Sequence, residues 1–431
     1  QFMDVMGSPY LIAHGAGVPV GEARTKVRLP AKGEWHVYAR TYNWTSPWHD
    51  GEGPGKFKIA VQGKELPETL GDEGRQWEWQ YAGSFKADSK DIDLSLRDLT
   101  GFDGRCDAIL FTRDAKAPGY VSAQDMESLR KRLVKGYGKV HDAGGYDFVV
   151  AGGGVAGMCA AVSAARLGLK VALIHNRPVL GGNNSAEVRV HLGGSIECEP
   201  YPNLGNLIKE FGHTTKGNAN PAECYEDGKK MDFVRNEKNI SLFLNTHVTD
   251  VEMDGSTIGA LLARDIRTGQ LLRFKAPLFA DCTGDANIGF LAGADWRSGR
   301  ESFDETGEPG AVKTADRQVL GASVQWYSKD TGAAAPFPVF EYGKTFTEES
   351  VQKVRKGEWT WETGMLRDQI YEAERIRDHG LLVVYSNWSF LKNRSSVREE
   401  YSDLALEWVA YIAGKRESRR LMGDHILTQN D

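Results

Sequence analysis

The stretch Tyr146-Asp147-Phe148-Val149-Val150-Ala151-Gly152-Gly153-Gly154-Val155-Ala156-Gly157 decides the fold of the chain that follows it. Its apolar first half predicts a buried strand, and its second half has the spacing G-x-G-x-x-G. Small residues then predict a helix, and residues 170–174 predict a second strand. The order strand, turn, helix, strand predicts a βαβ unit in a parallel sheet.

The glycines and the helix start of this unit are suited to holding a pyrophosphate. Gly152 permits the tight turn, Gly154 lets the backbone approach the phosphates, and Gly157 lets the helix pack close to the strand. Free N–H groups of the helix start favour an anion there. The residues predicted to contact it are Gly152, Gly153, Gly154, Val155, Ala156 and Gly157. A glycine-rich turn that serves packing alone is the alternative.

The end of the second strand departs from the usual dinucleotide pattern. A carboxylate normally stands there and binds the adenosine ribose. Here the positions are His175 and Asn176. Either side chain can hydrogen-bond a hydroxyl, but without the strength that a charge adds. We therefore expect these two residues to hold the ribose more weakly.

Three further segments resemble the FAD proteins of the glutathione-reductase-like group. Residues 177–185 resemble the R-x-x-x-G-G-x-x-S loop, residues 243–248 resemble the strand whose backbone reads the adenine, and residues 281–285 resemble the late T-G-D motif. The resemblance implies FAD as the cofactor. The residues that it adds to the binding site are Arg177, Gly181, Gly182, Asn183, Ser185, Val248, Thr283, Gly284 and Asp285.

A closer resemblance covers nearly the whole chain. Arg177-Pro178-Val179-Leu180-Gly181-Gly182-Asn183, the E-x-R-V at Glu187, and the G-K-R-E-S-R-R-L-x-G-D at Gly414 resemble a family of FAD-dependent oxidoreductases. Residues 102–109 resemble a golvesin-like, xanthan-lyase-associated β-sandwich. Together they imply a bacterial polysaccharide-processing protein, periplasmic or secreted, that acts on a small molecule or a glycan.

The predicted fold class is α/β, with an FAD-binding Rossmann-like βαβ domain preceded by an antiparallel β-sandwich. Short alternating runs at 35–39 and 57–61 predict strands of the sandwich. The predicted divisions are a sandwich at 1–116, a linker with a helix at 117–145, the FAD domain at 146–300, and a substrate-side helical region at 301–431. Charged helices are expected there near 347–356, 365–379 and 396–422.

Composition excludes several classes of partner and cofactor. A net charge of −6 argues against nucleic acid as a partner. The five cysteines are scattered without a C-x-x-C pair, so neither a metal site nor a disulfide framework is predicted. The longest uncharged run, 148–165, contains four glycines, which disfavours a membrane span. The sequence leaves the oligomeric state open.

His191 is the predicted catalytic base, because hydroxyl oxidation requires a proton acceptor and this histidine follows the flavin-side loop. Alternation in 187–191 would place Glu187, Arg189 and His191 on one face, with Arg189 steadying negative charge. The alternative is a structural Glu187–Arg189 ion pair. A second charged cluster fits a salt-bridge network better than an anion site; its members are Arg416, Glu417, Arg419 and Arg420.

Four tryptophans leave two interpretations open. Trp77 and Trp79 lie in an alternating run that favours the core of the sandwich, whereas Trp44 and Trp48 lie in a polar loop. Exposed rings in that loop would suit sugar stacking.

The predicted function is FAD-dependent oxidation of a carbohydrate or polyol hydroxyl in polysaccharide metabolism. Two alternatives stay open: fumarate-reductase-like reduction or desaturation of a C–C bond, and a carbohydrate-binding protein whose flavin fold is structural. The glycine-rich segment that returns to the flavin ring in such proteins is not recognisable before Asp431. The sequence therefore predicts weak FAD binding and a chain that is a piece of a longer protein.

Overall fold

The computed structural model describes residues 3–116, 122–212 and 216–428. Its first region contains α1 (Met3–Met6), β1 (Leu11–His14), β2 (Ala23–Arg28), β3 (Gly33–Thr41), β4 (Phe57–Val61), β5 (Lys64–Glu65), β6 (Glu78–Ala87), β7 (Asp91–Asp98), β8 (Phe102–Cys106) and β9 (Ala108–Thr112). Two antiparallel sheets, in the orders β2-β7-β4-β5 and β6-β3-β9, contribute side chains to one apolar core. β3 and β4 contain the strands that the sequence predicts at 35–39 and 57–61.

The middle region begins with a capped helix and continues as two sheets. Its elements are α2 (Ala123–Leu133), β10 (Val140–Gly145), β11 (Phe148–Ala151), α3 (Val155–Arg166), β12 (Val171–Ile174), α4 (Ile208–Phe211), α5 (Asp227–Arg235), β13 (Ile240–Phe243), β14 (Thr246–Asp254), β15 (Thr257–Asp265), β16 (Leu271–Lys275), β17 (Leu278–Asp281) and α6 (Asn287–Leu291). One sheet is parallel, in the order β13-β12-β11-β17, and the other has the order β10-β16-β15-β14. The predicted βαβ unit is therefore present.

The parallel register brings three loops to one edge of the sheet. Ala151 lies opposite Ile174 on one side and Asp281 on the other. The segments after β11, β12 and β17 consequently leave the sheet side by side. In open α/β sheets this carboxyl edge is where ligands bind.

The last region is less helical than the sequence predicts. It contains β18 (Trp296–Arg297), α7 (Phe303–Thr306), β19 (Trp326–Asp330), β20 (Lys356–Gly357), α8 (Ala373–Asn393), β21 (Leu404–Val409) and β22 (Arg420–Leu421). The helices expected at 347–356 and 396–422 are wrong, and the one at 365–379 is displaced to α8. Most residues of α8 after Gly380 are buried, among them Leu381, Leu382 and Trp388, so the helix is stabilised by packing, which a pattern of charged residues does not predict. None of the described helices is long and apolar enough to cross a bilayer.

The first and last regions share a core. Tyr42, Trp44, Trp77 and Phe102 pack in the same apolar cluster as α8. Trp44 is 1% exposed and donates its Nε1–H to the Phe102 carbonyl, so it is not available for sugar stacking. Trp48 packs at the edge of this cluster. The domain boundaries remain a prediction; a boundary near residue 116 would leave the core of the two sheets in the first region but would divide the apolar cluster that this region shares with α8.

Candidate functional site

A cavity of about 490 Å³ opens at the carboxyl edge of the parallel sheet. It gathers most of the residues that the sequence nominates from distant segments. Those in its wall are Gly152, Gly154, Val155, His175, Asn176, Arg177, Gly181, Gly182, Asn183, His191, Val248, Thr283, Gly284 and Asp285. The nominated residues outside the wall are Gly153, Ala156, Gly157, Ser185 and Arg189.

The three motif glycines have different surroundings. Gly152 has φ +103°, and a Cβ there would lie 2.0 Å from the Cys282 carbonyl oxygen. A Cβ at Gly157 would lie 1.8 Å from the Gly152 oxygen. In contrast, a Cβ at Gly154 would meet only the Cα of Gly182, at 3.9 Å, and would point into open space. Gly152 and Gly157 thus permit close packing, whereas Gly154 keeps the cavity open beside the first turn of α3.

The loop after β12 docks on this turn through its backbone. The Gly181 N–H donates to the Gly153 carbonyl at 2.9 Å, and the Ser185 hydroxyl donates to the Gly182 carbonyl at 2.7 Å. Ser185 is fully buried, so it shapes the loop from within. The structure therefore brings two glycine-rich segments face to face, as a backbone cradle for a phosphate requires.

The ring of His175 is used within the protein. Its Nδ1 accepts from the Gly153 N–H at 2.9 Å, and its Nε2 lies 2.9 Å from the Val179 carbonyl. Burial, with the Arg177 guanidinium as a second cause, lowers the pKa of His175 to about 3. Because both nitrogens are engaged, our expectation that His175 binds the ribose is corrected, and Asn176 alone keeps that proposed role.

The buried, neutral His175 predicts a loss of stability in mild acid. The unfolded chain protonates this imidazole below about pH 6.5, and the folded chain does not until about pH 3. Acid therefore favours the unfolded state. Each pH unit below about 6.5, the pKa of the imidazole in the unfolded chain, lowers the free energy of unfolding by roughly 1.4 kcal/mol. Urea midpoints between pH 6.5 and 5 should fall more steeply for the wild type than for His175→Gln. His141→Gln, outside the cavity, should keep the wild-type slope; equal slopes in all three proteins would contradict the assignment.

Arg177, in the cavity wall, forms a largely buried cluster with Glu187 and Tyr411. Arg177 Nη1 lies 3.5 Å from Glu187 Oε2, and the Tyr411 hydroxyl donates to Glu187 Oε1 at 2.9 Å. Burial raises the pKa of Glu187, which Arg177 and Tyr411 partly oppose. The ion pair of Glu187 is therefore formed with Arg177, and the alternative of a Glu187–Arg189 pair is wrong.

The late T-G-D motif is fixed by Asp281. This carboxylate accepts from the Thr283 N–H and hydroxyl through Oδ1, and from the Ile288 N–H at 2.8 Å through Oδ2. The turn presents Thr283, Gly284 and Asp285 to the cavity. Asp281 lies just before Thr283, Gly284 and Asp285, and the sequence analysis does not include it among the site residues. Its hydrogen bonds nevertheless fix the conformation of that turn.

Sequence reasoning also missed a wall of the cavity. Ile412, Ala413 and Lys415 line it with Arg416 and Glu417. The Lys415 ammonium lies 2.6 Å from Asp285 Oδ2, and the Lys415 carbonyl accepts from Asn183 Nδ2 at 2.8 Å. The signal was present in the G-K-R-E-S-R-R motif, which we interpreted as a salt-bridge network. The segment 412–417 thus lies against the T-G-D turn.

Arg419 and Arg420 extend this segment into a network. Arg419 donates to the Asp285 carbonyl at 3.0 Å and to Asn287 Oδ1 at 2.8 Å. Arg420 pairs with Glu301 at 2.6 Å. The ion pairs of Arg420 agree with the salt-bridge interpretation, whereas Arg419 donates to neutral oxygens, and Arg416 and Glu417 also line the cavity.

Only one of the two predicted catalytic residues reaches the cavity. His191 lines it, but Arg189 donates to the Ala186 and Asn220 carbonyls and stacks 4.0 Å above the Trp408 ring. Residues 186–188 form a turn and Arg189 has φ +65°, so the strand alternation predicted for 187–191 is wrong. The direct role expected for Arg189 is corrected to one of supporting the turn.

The sequence profile of a family described as FAD dependent oxidoreductase matches residues 147–431. Among solved structures, THI4 of Thermovibrio ammonificans is 17% identical over 44% of this chain and 79% of its own, with a TM-score of 0.29. A geranylgeranyl bacteriochlorophyll reductase-like protein of Thermoplasma acidophilum is 13% identical over 63% and 66%, with a TM-score of 0.32. A quinol-fumarate reductase is 15% identical over 34% of each chain, with a TM-score of 0.24, so this chain spans about a third of it.

Proposed function

The chain belongs to the FAD-dependent oxidoreductase family, with FAD as its cofactor, and from that premise we propose that it oxidises a hydroxyl group of a carbohydrate or polyol. The observation that supports this proposal is His191 in the wall of the cavity, with no hydrogen-bond partner for its Nε2 among the described residues. An alcohol must lose its O–H proton as its carbon is oxidised, and a neutral imidazole is suited to accept it.

The residues of the cavity fit FAD. The open space in front of Gly154, the facing glycines of 181–182 and the start of α3 suit the pyrophosphate. Asn176 and Val248 line the cavity, which supports the proposal that they hold the adenosine; Asn183 and the T-G-D turn are proposed to hold the remainder. When bound, FAD supplies the two-electron acceptor for the hydride that leaves the substrate carbon.

The chain's own residues supply the proton acceptor and the enclosure. His191 Nε2 takes the hydroxyl proton, which leaves a carbonyl on the substrate. The ion pair of Lys415 with Asp285 joins the 412–417 segment to the T-G-D turn. The segment encloses this side of the cavity and limits the access of water to it.

The choice of a carbohydrate substrate rests on the first region of the chain. We propose that residues 1–116 are a golvesin-like β-sandwich and that the protein works on a glycan outside the cytoplasm. The two antiparallel sheets with a common core support the sandwich. Trp48, at the edge of the core, is the remaining aromatic of the polar loop for a sugar contact.

The proposal predicts which compounds reduce the flavin. Under anaerobic conditions, sugar alcohols such as sorbitol and inositol, or a hexose, should bleach the visible flavin absorbance of the FAD-loaded chain. His191→Gln should slow this reduction about 10²- to 10⁴-fold, the usual contribution of a general base, while His141→Gln should not.

Unsaturated acids provide the opposing result. If fumarate or crotonate reoxidises the reduced flavin rapidly and no polyol or sugar reduces it, C–C reduction replaces the proposed function. A chain that binds FAD but reacts with neither class would contradict the proposal as well.

A further inference from the structure

His191 is held by a side chain that the sequence did not nominate. The Asn218 Oδ1 lies 2.8 Å from His191 Nδ1 and accepts the His191 backbone N–H at 3.0 Å. Asn218 is 4% exposed. A buried amide that bonds both the backbone and the ring of one histidine fixes the direction of that ring.

The orientation of the Asn218 amide is determined at both ends. The backbone N–H of His191 can only donate, so the oxygen of the amide must face it. At the other end, Asn218 Nδ2 donates to Glu358 Oε2 at 3.0 Å. An amide turned by 180° would place its NH₂ against a donor and its oxygen against a carboxylate, so two independent contacts exclude that orientation.

Glu358 is itself kept ionised. Lys356 Nζ lies 2.8 Å from Glu358 Oε1 and donates to the Asn218 carbonyl at 2.8 Å. Burial raises the pKa of Glu358, but the Lys356 ammonium and the Asn218 amide outweigh it, and the pKa lies below its usual value. An ionised carboxylate accepts only, which secures the donor end of the Asn218 amide.

We propose that Asn218 is a positioning residue that fixes His191 as the Nδ1–H tautomer, so that the unprotonated Nε2 is available at the cavity as the proton acceptor. Oxygen Oδ1 cannot donate, so Nδ1, at 2.8 Å, must carry the proton while the ring is neutral. The lone pair is then at Nε2, for which the described residues offer no hydrogen bond. The role of Nε2 as proton acceptor rests on the proposed function, whereas the tautomer itself depends only on the contact with Asn218.

The tautomer can be measured without a substrate. In protein labelled with ¹⁵N-histidine, long-range ¹H–¹⁵N spectra distinguish Nδ1–H from Nε2–H, and His191→Gln identifies the His191 signals by their loss. At a pH where the ring is neutral, the wild type should show the Nδ1–H form. An Nε2–H form in the wild type would overturn the inference, whatever the turnover.

Variants separate positioning from a general structural role. Asn218→Leu removes both bonds at similar size and should release the tautomer, with flavin content unchanged and flavin reduction by sorbitol slowed ~10- to 100-fold. The double variant N218D/E358Q exchanges donor and acceptor at Glu358 and keeps an oxygen at His191, so it should restore Nδ1–H. Asn206→Leu, which removes an exposed side-chain bond to Asn203 Oδ1 outside the cavity, is the matched control. An Asn218→Leu protein that keeps the wild-type tautomer would also contradict the inference.

The outcomes distinguish the two proposals. The Nδ1–H form in a protein that no polyol or sugar reduces would support the role of Asn218 and reject alcohol oxidation. The Nε2–H form in a protein that sorbitol reduces would support alcohol oxidation and reject Asn218.

Discussion

Gly154→Val is expected to abolish FAD retention without unfolding the protein. A Cβ at Gly154 would have no neighbour nearer than the Gly182 Cα at 3.9 Å, so the fold has room for it. The branched side chain would then occupy the space in which the pyrophosphate meets the backbone. We expect an affinity loss of at least about 100-fold, equivalent to about 2.7 kcal/mol. The measurement is the flavin-to-protein ratio after dialysis, with isothermal titration of the apoprotein.

Two other glycines provide controls. Gly21→Val also places a side chain in open space, but outside the cavity, and should retain flavin. Gly157→Val forces a Cβ to 1.8 Å from the Gly152 oxygen and should unfold the βαβ unit. A folded Gly154→Val protein that keeps a full complement of flavin would show that the phosphates bind elsewhere.

Asp378→Asn is expected to destabilise the protein by about 3–5 kcal/mol, the cost of leaving buried charge without its partner. Asp378 Oδ2 lies 2.9 Å from Arg105 Nη1, and its Oδ1 accepts from Arg377 at 2.7 Å. Glu374, 3.0 Å from Arg105 Nη1, completes a neutral set of two arginines and two carboxylates. The Arg105 side chain is fully buried, so water cannot replace the lost carboxylate. Urea unfolding followed by tryptophan fluorescence measures the effect.

Two further variants test whether the unpaired buried charge causes the loss of stability: one removes an exposed ion pair, and the other replaces both partners of the buried pair. Asp50→Asn breaks an exposed pair with Arg75 and should change stability by no more than about 0.5 kcal/mol. Replacing both partners, as Arg105→Met with Asp378→Leu, should be less harmful than Asp378→Asn, because one positive and one negative side chain remain, Arg377 and Glu374, 3.9 Å apart, and the buried set stays neutral. A midpoint for Asp378→Asn equal to that of the wild type would mean that this network does not hold the first region to α8.

Local spacing was sufficient to predict the dinucleotide unit. The surroundings of Gly152, Gly154 and Gly157 agree with the role that the motif predicts for each glycine. The elements β11, α3 and β12 follow one another in the predicted order of strand, helix and strand. These constraints operate within about two turns of a helix, so the residue order contains them. The FAD cofactor and the oxidoreductase class followed from motifs of the same short range.

The orientations of the His175 and Asn176 side chains, which follow β12, could not be predicted from the sequence. Asn176 and His175 occupy adjacent positions, yet the His175 ring is directed to Gly153 and Val179. Likewise, the alternation around Arg189 predicts a strand, but this residue has φ +65° after a turn, and its guanidinium stacks on Trp408. A buried polar group takes whichever partner the surrounding fold offers, and the period of a sequence does not name that partner.

The sequence by itself determined the βαβ unit, the FAD class and most, but not all, of the segments that supply the cavity, because each depends on residues that are neighbours along the chain. Only the tertiary structure decided that Lys415 meets Asp285, that Asn218 directs His191, and that Arg105 is neutralised by Asp378. The partners in these pairs lie far apart in the sequence. They meet because parallel strand order and a shared core bring their loops together, and burial then requires each polar group to be paired.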